Sequence, residues 1–148
     1  MMRIFVQGLC GLCLLLQLAL SSGLVAAQQP AGEPIKVGAV LSLTGPGAGL
    51  GGPERNGILL AEKRINERGG IRGRPLQIII EDDGSKPDIA KSKAEALIHG
   101  EKVVALLGPS LTASTGAVAT VTNAMQMPQL CMTGLGPAIE STYKSLFH

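Results

Sequence analysis

The chain has 148 residues, 45% of them apolar and 16% charged, with 13 basic residues against 11 acidic ones. A formal charge of +2 gives no electrostatic grip on nucleic acid or an anionic membrane surface. With no Trp and only 2% aromatic residues, a stacking surface for bases is also excluded.

The first 27 residues are set apart from the rest. Met1-Met2-Arg3 is a short positive start, Ile4 to Leu20 is mostly apolar, and the run closes on Val25-Ala26-Ala27. A basic opening, an apolar middle and small residues before a cleavage point define a secretory signal peptide, expected to be cut after Ala27. A membrane span asks for about 20 predominantly apolar residues, and Gln7, Gln17 and several glycines interrupt this one. Residues 28–148 are then the working chain, enough for one core. Cys10 and Cys13 form a C-x-x-C spacing, but both fall in the leader, which leaves Cys131 as the single mature thiol.

Beyond a polar tail to Pro34, short apolar strands alternate with helical stretches. Ile35–Leu41 is β-branched and apolar and reads as a buried strand. Ser42–Gly52 holds five glycines and a proline and reads as a flexible loop. Pro53 then suits the first turn of a helix, with Glu54 beside it favouring the helix dipole. Gly57, Leu60, Ala61 and Ile65 are its expected inner face, and Gly69-Gly70 its stop. Leu76–Ile80 is a second strand, ending in Glu81-Asp82-Asp83. Ser85, Pro87 and Asp88 start a second helix with Ala90, Ala94, Leu97 and Ile98 inward and Gly100 at its end. Val103–Leu107 is a third strand. A third helix opens within Ser110–Ser114 and runs to about Gln126, with Val118, Val121 and Met125 inward. Gln129–Met132 is a fourth strand. This alternation predicts an α/β fold: a doubly wound parallel sheet with helices on both faces.

In such sheets ligands gather beyond the carboxyl ends of the strands, which singles out four loops. Gly108–Thr115 joins a buried strand to a helix N-terminus, where free amides favour a carboxylate and Ser110, Thr112 and Ser114 add hydroxyls. Ordinary N-capping would use one of those hydroxyls. Thr133-Gly134-Leu135-Gly136 is a second small-residue loop. Gly47-Ala48-Gly49-Leu50-Gly51-Gly52 contains G-x-G-x-x-G, the dinucleotide fingerprint. However, Ser42 to Pro46 separate it from the strand, and Pro53 removes an amide that a pyrophosphate would use. Glu81-Asp82-Asp83 reads as a solvated acidic loop, with no second acidic or His cluster to complete a metal site. His99 and His148 stand apart from any nucleophile, so no catalytic triad is indicated.

The order of these residues resembles the first lobe of type I periplasmic solute-binding proteins, the group that includes the binders of leucine, isoleucine and valine. Ile35 to Pro46 is similar to that family's opening strand and loop. Ile65-Asn66-Glu67-Arg68-Gly69-Gly70-Ile71-Arg72-Gly73-Arg74-Pro75-Leu76 resembles the end of its first helix and the glycine turn behind it. Asp82-Asp83, Leu106-Leu107-Gly108-Pro109 with Thr112–Thr115, and Met127-Pro128-Gln129-Leu130 resemble its later strand ends. The resemblance implies a non-enzymatic substrate-binding component of an ABC-type importer, periplasmic, with no cofactor or metal. Its partners would be a small solute, an amino acid or small carboxylate, and a membrane permease. Carried over, Ser110, Leu111 and Thr112 form one ligand-contact segment, Thr133 and Leu135 another, and Leu50 lies over the ligand. Leu135 stands where the family commonly has a hydroxyl. Family members have two lobes, so this chain is expected to supply the first alone. Two other readings of the residues are a ligand-sensing module of the same fold and a fragment of a dinucleotide-dependent enzyme.

Overall fold

The computed structural model describes residues 29–134 and 141–147. The leader expected at residues 1–27 and the predicted contact Leu135 lie outside the described residues.

The elements run β1 (Ile35–Leu41), α1 (Ala48–Glu67), β2 (Leu76–Asp82), α2 (Pro87–Ala96, continued by a π turn, Leu97–Glu101), β3 (Leu106–Leu107), α3 (Thr112–Ala124), β4 (Gln129–Leu130) and β5 (Leu146–Phe147). The strands form one parallel sheet in the order β2-β1-β3-β4-β5. β1 is the long central strand. It pairs with β2 from Ile35↔Leu76 to Leu41↔Asp82, and with β3 at Gly38↔Leu106 and Ala39↔Leu107. Side chains alternate across the sheet, so two cores result. Val40 and Leu106 pack with Ala90, Ala94, Leu97, Ile98, Val118 and Val121 on the side of α2 and α3. Ala39 and Leu41 pack with Ile58 on the side of α1, where Ile78, Ile80 and Leu107 join them. The fold is therefore the doubly wound parallel sheet expected from the strand–helix alternation.

Several local expectations are corrected. α1 starts at Ala48, five residues before Pro53, so the glycine-rich stretch is helix rather than flexible loop, and Pro53 lies inside it. Its missing N–H leaves only the exposed Gly49 carbonyl unpaired in the helical pattern, which water can satisfy. Packing favours the early start: a Cβ on Gly51 would stand 2.2 Å from the Ser42 carbonyl oxygen, so this turn rests directly on the end of β1. The inner face of α1 is also rotated from expectation. Gly51 and Ile58 are buried, whereas Leu60 is 49% exposed and Gly57 and Ala61 are exposed. Ile65, expected inward, is half-buried, and polar residues share the rest of that face. Glu62 accepts from the Ile78 N–H (2.8 Å), and the Asn66 amide bonds both the N–H and the carbonyl of Leu76 (2.8 Å each). They satisfy backbone groups that strand β2 would otherwise present unpaired at the sheet edge.

In α2 the expected inner residues are the buried ones, but the chain runs past Gly100, and Lys102 takes the left-handed conformation (φ 56°). Met125, expected inward, is 44% exposed, because α3 ends at Ala124. β3 is shorter than Val103–Leu107, although Val104 N–H still bonds the Lys36 carbonyl (2.9 Å) and Gly38 N–H the Ala105 carbonyl (3.0 Å). β4 stops at Leu130 rather than Met132.

Candidate functional site

At the carboxyl edge of the sheet the loops are held to one another by polar side chains. Asp82, the last residue of β2, reaches across to the loop after β1. Its Oδ1 accepts from the N–H groups of Leu43 (2.9 Å), Thr44 (3.2 Å) and Gly84 (2.9 Å), and its Oδ2 from the Thr44 hydroxyl (2.6 Å). Partial burial alone would raise the pKa of this carboxyl. The hydrogen bonds from the Thr44 hydroxyl and from the Gly84, Thr44 and Leu43 amides outweigh it and hold the group below its ordinary value. The next residue, Asp83, is fully buried (0% exposed), not solvated as expected; its Oδ1 accepts from the Ser85 N–H at 2.7 Å. Glu81 pairs with Lys93 at 2.7 Å. Ser85 completes the clamp by donating to the Thr44 carbonyl (2.7 Å) and accepting from the Gly47 N–H (2.9 Å). Among the described residues no cluster of three His, Cys, Asp or Glu residues could hold a metal ion.

The β3–α3 loop is fixed from below. Gly108 has φ +87°, and a Cβ there would lie 2.2 Å from the Val40 carbonyl oxygen, so only glycine fits. Its own carbonyl accepts from the buried Gln129 Nε2 (3.0 Å), while Gln129 Oε1 accepts from the Thr122 hydroxyl (2.7 Å). Leu111 then caps α3 with extended backbone (φ −114°, ψ 142°) and without any side-chain cap. Its carbonyl takes the Thr115 N–H (2.9 Å), and the Thr115 hydroxyl turns back to the Leu111 and Pro109 carbonyls. N-capping, the ordinary alternative for these hydroxyls, is therefore not what they do at Leu111, and among the described residues no side chain caps the first-turn amides.

The six predicted contact residues are placed unequally. Thr112 is exposed and its hydroxyl lies 3.3 Å from that of Thr133, on the loop after β4. Leu111 is half-buried beside them. Leu50 is 54% exposed on the first turn of α1. Ser110 is only 2% exposed and its hydroxyl is occupied: it accepts from the Ser42 N–H (3.1 Å) and donates to Glu54 Oε2. Ser114 is likewise buried. The structure brings Leu111, Thr112 and Thr133 together and places the Ser110 hydroxyl inside. In the G-x-G-x-x-G run Gly47 and Gly51 serve packing, while Gly49 and Gly52 have open space beside them. Gly47 N–H is taken by Ser85 and Gly51 abuts Ser42, so the run does not form the amide cradle a dinucleotide would need.

Reasoning from the sequence missed Glu54 and Gln129. The sequence places Glu54 in a first turn as a dipole partner, but with the helix starting at Ala48 it sits in the second turn. The only local signal for Gln129 was a polar residue inside an apolar strand.

A parallel doubly wound sheet with loops gathered at its carboxyl edge is a fold that receives small ligands at that edge. Comparison with known proteins places it more closely. Residues 34–148 match the family model described as periplasmic binding protein, and the chain belongs to that family. Among relatives, it is 30% identical over 117 residues to the chemotactic signal transduction system substrate-binding protein BasB of Halobacterium salinarum, covering 78% of this chain and 28% of that one. Among solved structures, the branched-chain amino acid transporter substrate-binding protein LivJ of Streptococcus pneumoniae, in complex with isoleucine, superposes with a TM-score of 0.75. The identity there is 27%, over 78% of this chain and 33% of the other. A solute-binding protein of an ABC transporter from Rhodopseudomonas palustris BisB5, in complex with 3,4-dihydroxybenzoic acid, gives 0.70 at 26% identity, covering 76% and 31%. The chain thus spans about a third or less of the length of these proteins.

Proposed function

We propose that this chain forms one wall of an extracytoplasmic substrate-binding cleft, serving an ABC-type importer for branched-chain amino acids or related small carboxylates and amides. The observation that carries the reading is the uncapped N-terminus of α3, with the Thr112 and Thr133 hydroxyls 3.3 Å apart beside it. The ligand carboxylate accepts from the first-turn amides of α3 and from Thr112, where the helix dipole also favours an anion. Thr133 faces the ammonium or amide end, and Leu50 covers the apolar part. Leu135 offers no hydroxyl for an α-amino group, which widens the range toward aliphatic or aromatic carboxylates. The ligand is held and passed to a permease unchanged. The leader ending at Ala27 would deliver the chain to the periplasm.

One wall buries a small ligand incompletely, whereas good sites bury about 70–90% of its surface. Binding by this chain alone is therefore weak, in the millimolar range, on the order of 4 kcal/mol. Amide chemical shifts of the isotope-labelled chain, followed during titration with L-leucine, test this. Leu111 to Ser114 and Thr133 shift together, and leucinol, which lacks the carboxylate, leaves them in place. Equal shifts with leucinol, or none with either compound, would sink the assignment.

The similarity to BasB, a substrate-binding protein of a chemotactic signal transduction system, supports a second reading, in which the same site reports ligand to a receptor rather than to a permease. Pull-down of a permease by the loaded chain, against pull-down of a receptor, separates the two.

A further inference from the structure

Ser110 lies at the predicted ligand edge, yet its single hydroxyl proton is directed inward, to Glu54 Oε2. One of its lone pairs receives the Ser42 N–H at 3.1 Å, and the residue is 2% exposed. A hydroxyl so engaged has nothing to donate to a solute. What it does is join three segments that are far apart in sequence: the end of β1, the second turn of α1, and the loop entering α3. Glu54 stands 56 residues from Ser110 along the chain. It also lies one turn beyond Leu50 on the same face of α1. The glycine contact between them, Gly51 against the Ser42 backbone, holds that turn of the helix close to β1. A carboxylate acceptor makes a stronger, more directional bond to a hydroxyl than a neutral acceptor does. It also fixes which way the hydroxyl proton points, and so leaves the oxygen free to accept from Ser42.

We infer that Glu54 is a positioning residue for the candidate ligand edge: through Ser110 it holds the Leu111–Thr112 amides in register with Leu50 on α1 and with the end of β1. This rests on the carboxylate-binding reading of α3 for its ligand consequence, but not for its structural one. The two parts are therefore measured separately.

The experiment compares Glu54→Ala, Glu54→Gln and Ser110→Ala in the full chain by amide hydrogen exchange and by leucine titration of the amide shifts. Glu54→Ala frees the Ser110 hydroxyl, and protection of the Ser42 amide falls by about ten-fold, the size of one hydrogen bond to a charged group. The apparent leucine dissociation constant rises by about five- to ten-fold, while protection of the Ala39 and Val40 amides in the middle of β1 is unchanged. Glu54→Gln keeps an oxygen acceptor and restores most of both effects, and Ser110→Ala reproduces Glu54→Ala. Wild-type protection of Ser42 in Glu54→Ala would overturn the inference. So would an equal loss of protection throughout β1, or failure of Glu54→Gln to restore Ser42. If leucine shifts no amide even in the wild type, the ligand reading of α3 fails, and the Ser42 measurement still decides the role of Glu54.

Discussion

Gln129→Leu probes the buried polar link beneath the β3–α3 loop. Gln129 is fully buried, donates to the Gly108 carbonyl at 3.0 Å and accepts from the Thr122 hydroxyl at 2.7 Å. Leucine fills a similar volume and removes both bonds. The two partners then fare differently. The Thr122 hydroxyl has carbonyls of Ala119 (3.3 Å) and Val118 (3.4 Å) within its own helix and can turn to them at little cost. The buried Gly108 carbonyl loses its side-chain donor, and an unsatisfied buried acceptor costs about 1–3 kcal/mol. The expected destabilisation is about 2 kcal/mol, which at a slope of about 1–3 kcal/mol per molar lowers the urea midpoint by roughly 1 M. Thr122→Val strands the Gln129 carbonyl oxygen instead and costs about 1 kcal/mol. Because the Gln129 oxygen that Thr122→Val orphans is no longer present once residue 129 is leucine, the double variant loses about 1 kcal/mol less than the sum. Equilibrium urea unfolding followed by far-ultraviolet circular dichroism supplies all four stabilities. Strict additivity, or a Gln129→Leu chain as stable as the wild type, would refute the view that this amide links α3 to the loop.

Two neighbouring glycines on α1 should respond in opposite directions. Gly57→Ala meets nothing within 4 Å and raises stability by about 1 kcal/mol through helix propensity, whereas Gly51→Ala drives a methyl into the Ser42 carbonyl and lowers it by several kcal/mol, both read from urea midpoints. The Asp82 carboxyl titrates lower in the folded chain than its ordinary value of 3.8. Its contribution to stability is therefore complete above that ordinary value and is lost as pH falls through the lower, folded one. Asp82→Asn should flatten this part of the decline in urea midpoint below about pH 4, and an unchanged pH profile would remove Asp82 from the clamp.

Legibility from sequence varied between elements for physical reasons. α2 was readable because its inward positions, Ala90, Ala94, Leu97 and Ile98, are apolar and meet an apolar sheet, so helical periodicity and burial coincide. α1 was not, because Gly51, Glu62 and Asn66 hold inward positions there. They serve close backbone contact and the free edge of β2, neither of which has a hydrophobic signature. In the candidate site, the segments were identified by the rule that ligands gather at the carboxyl ends of parallel strands, and Thr112 and Thr133 do lie side by side there. The buried state of Ser110 had no local sign, since it depends on Glu54 arriving from another helix.

The sequence by itself determined the alternation of strand and helix, and with it the parallel order, the two faces and the edge where a solute would lie. Those features follow from apolar spacing and turn residues within a few positions of one another. Only the tertiary structure decided which polar groups are used up inside and which are left to meet a ligand. Hydrogen-bond partners such as Glu54 with Ser110, Asp82 with Thr44, and Gln129 with Gly108 are separated by 21 to 56 residues. A donor and acceptor that far apart meet only when the whole sheet has closed between them, and no local pattern of residues records that meeting.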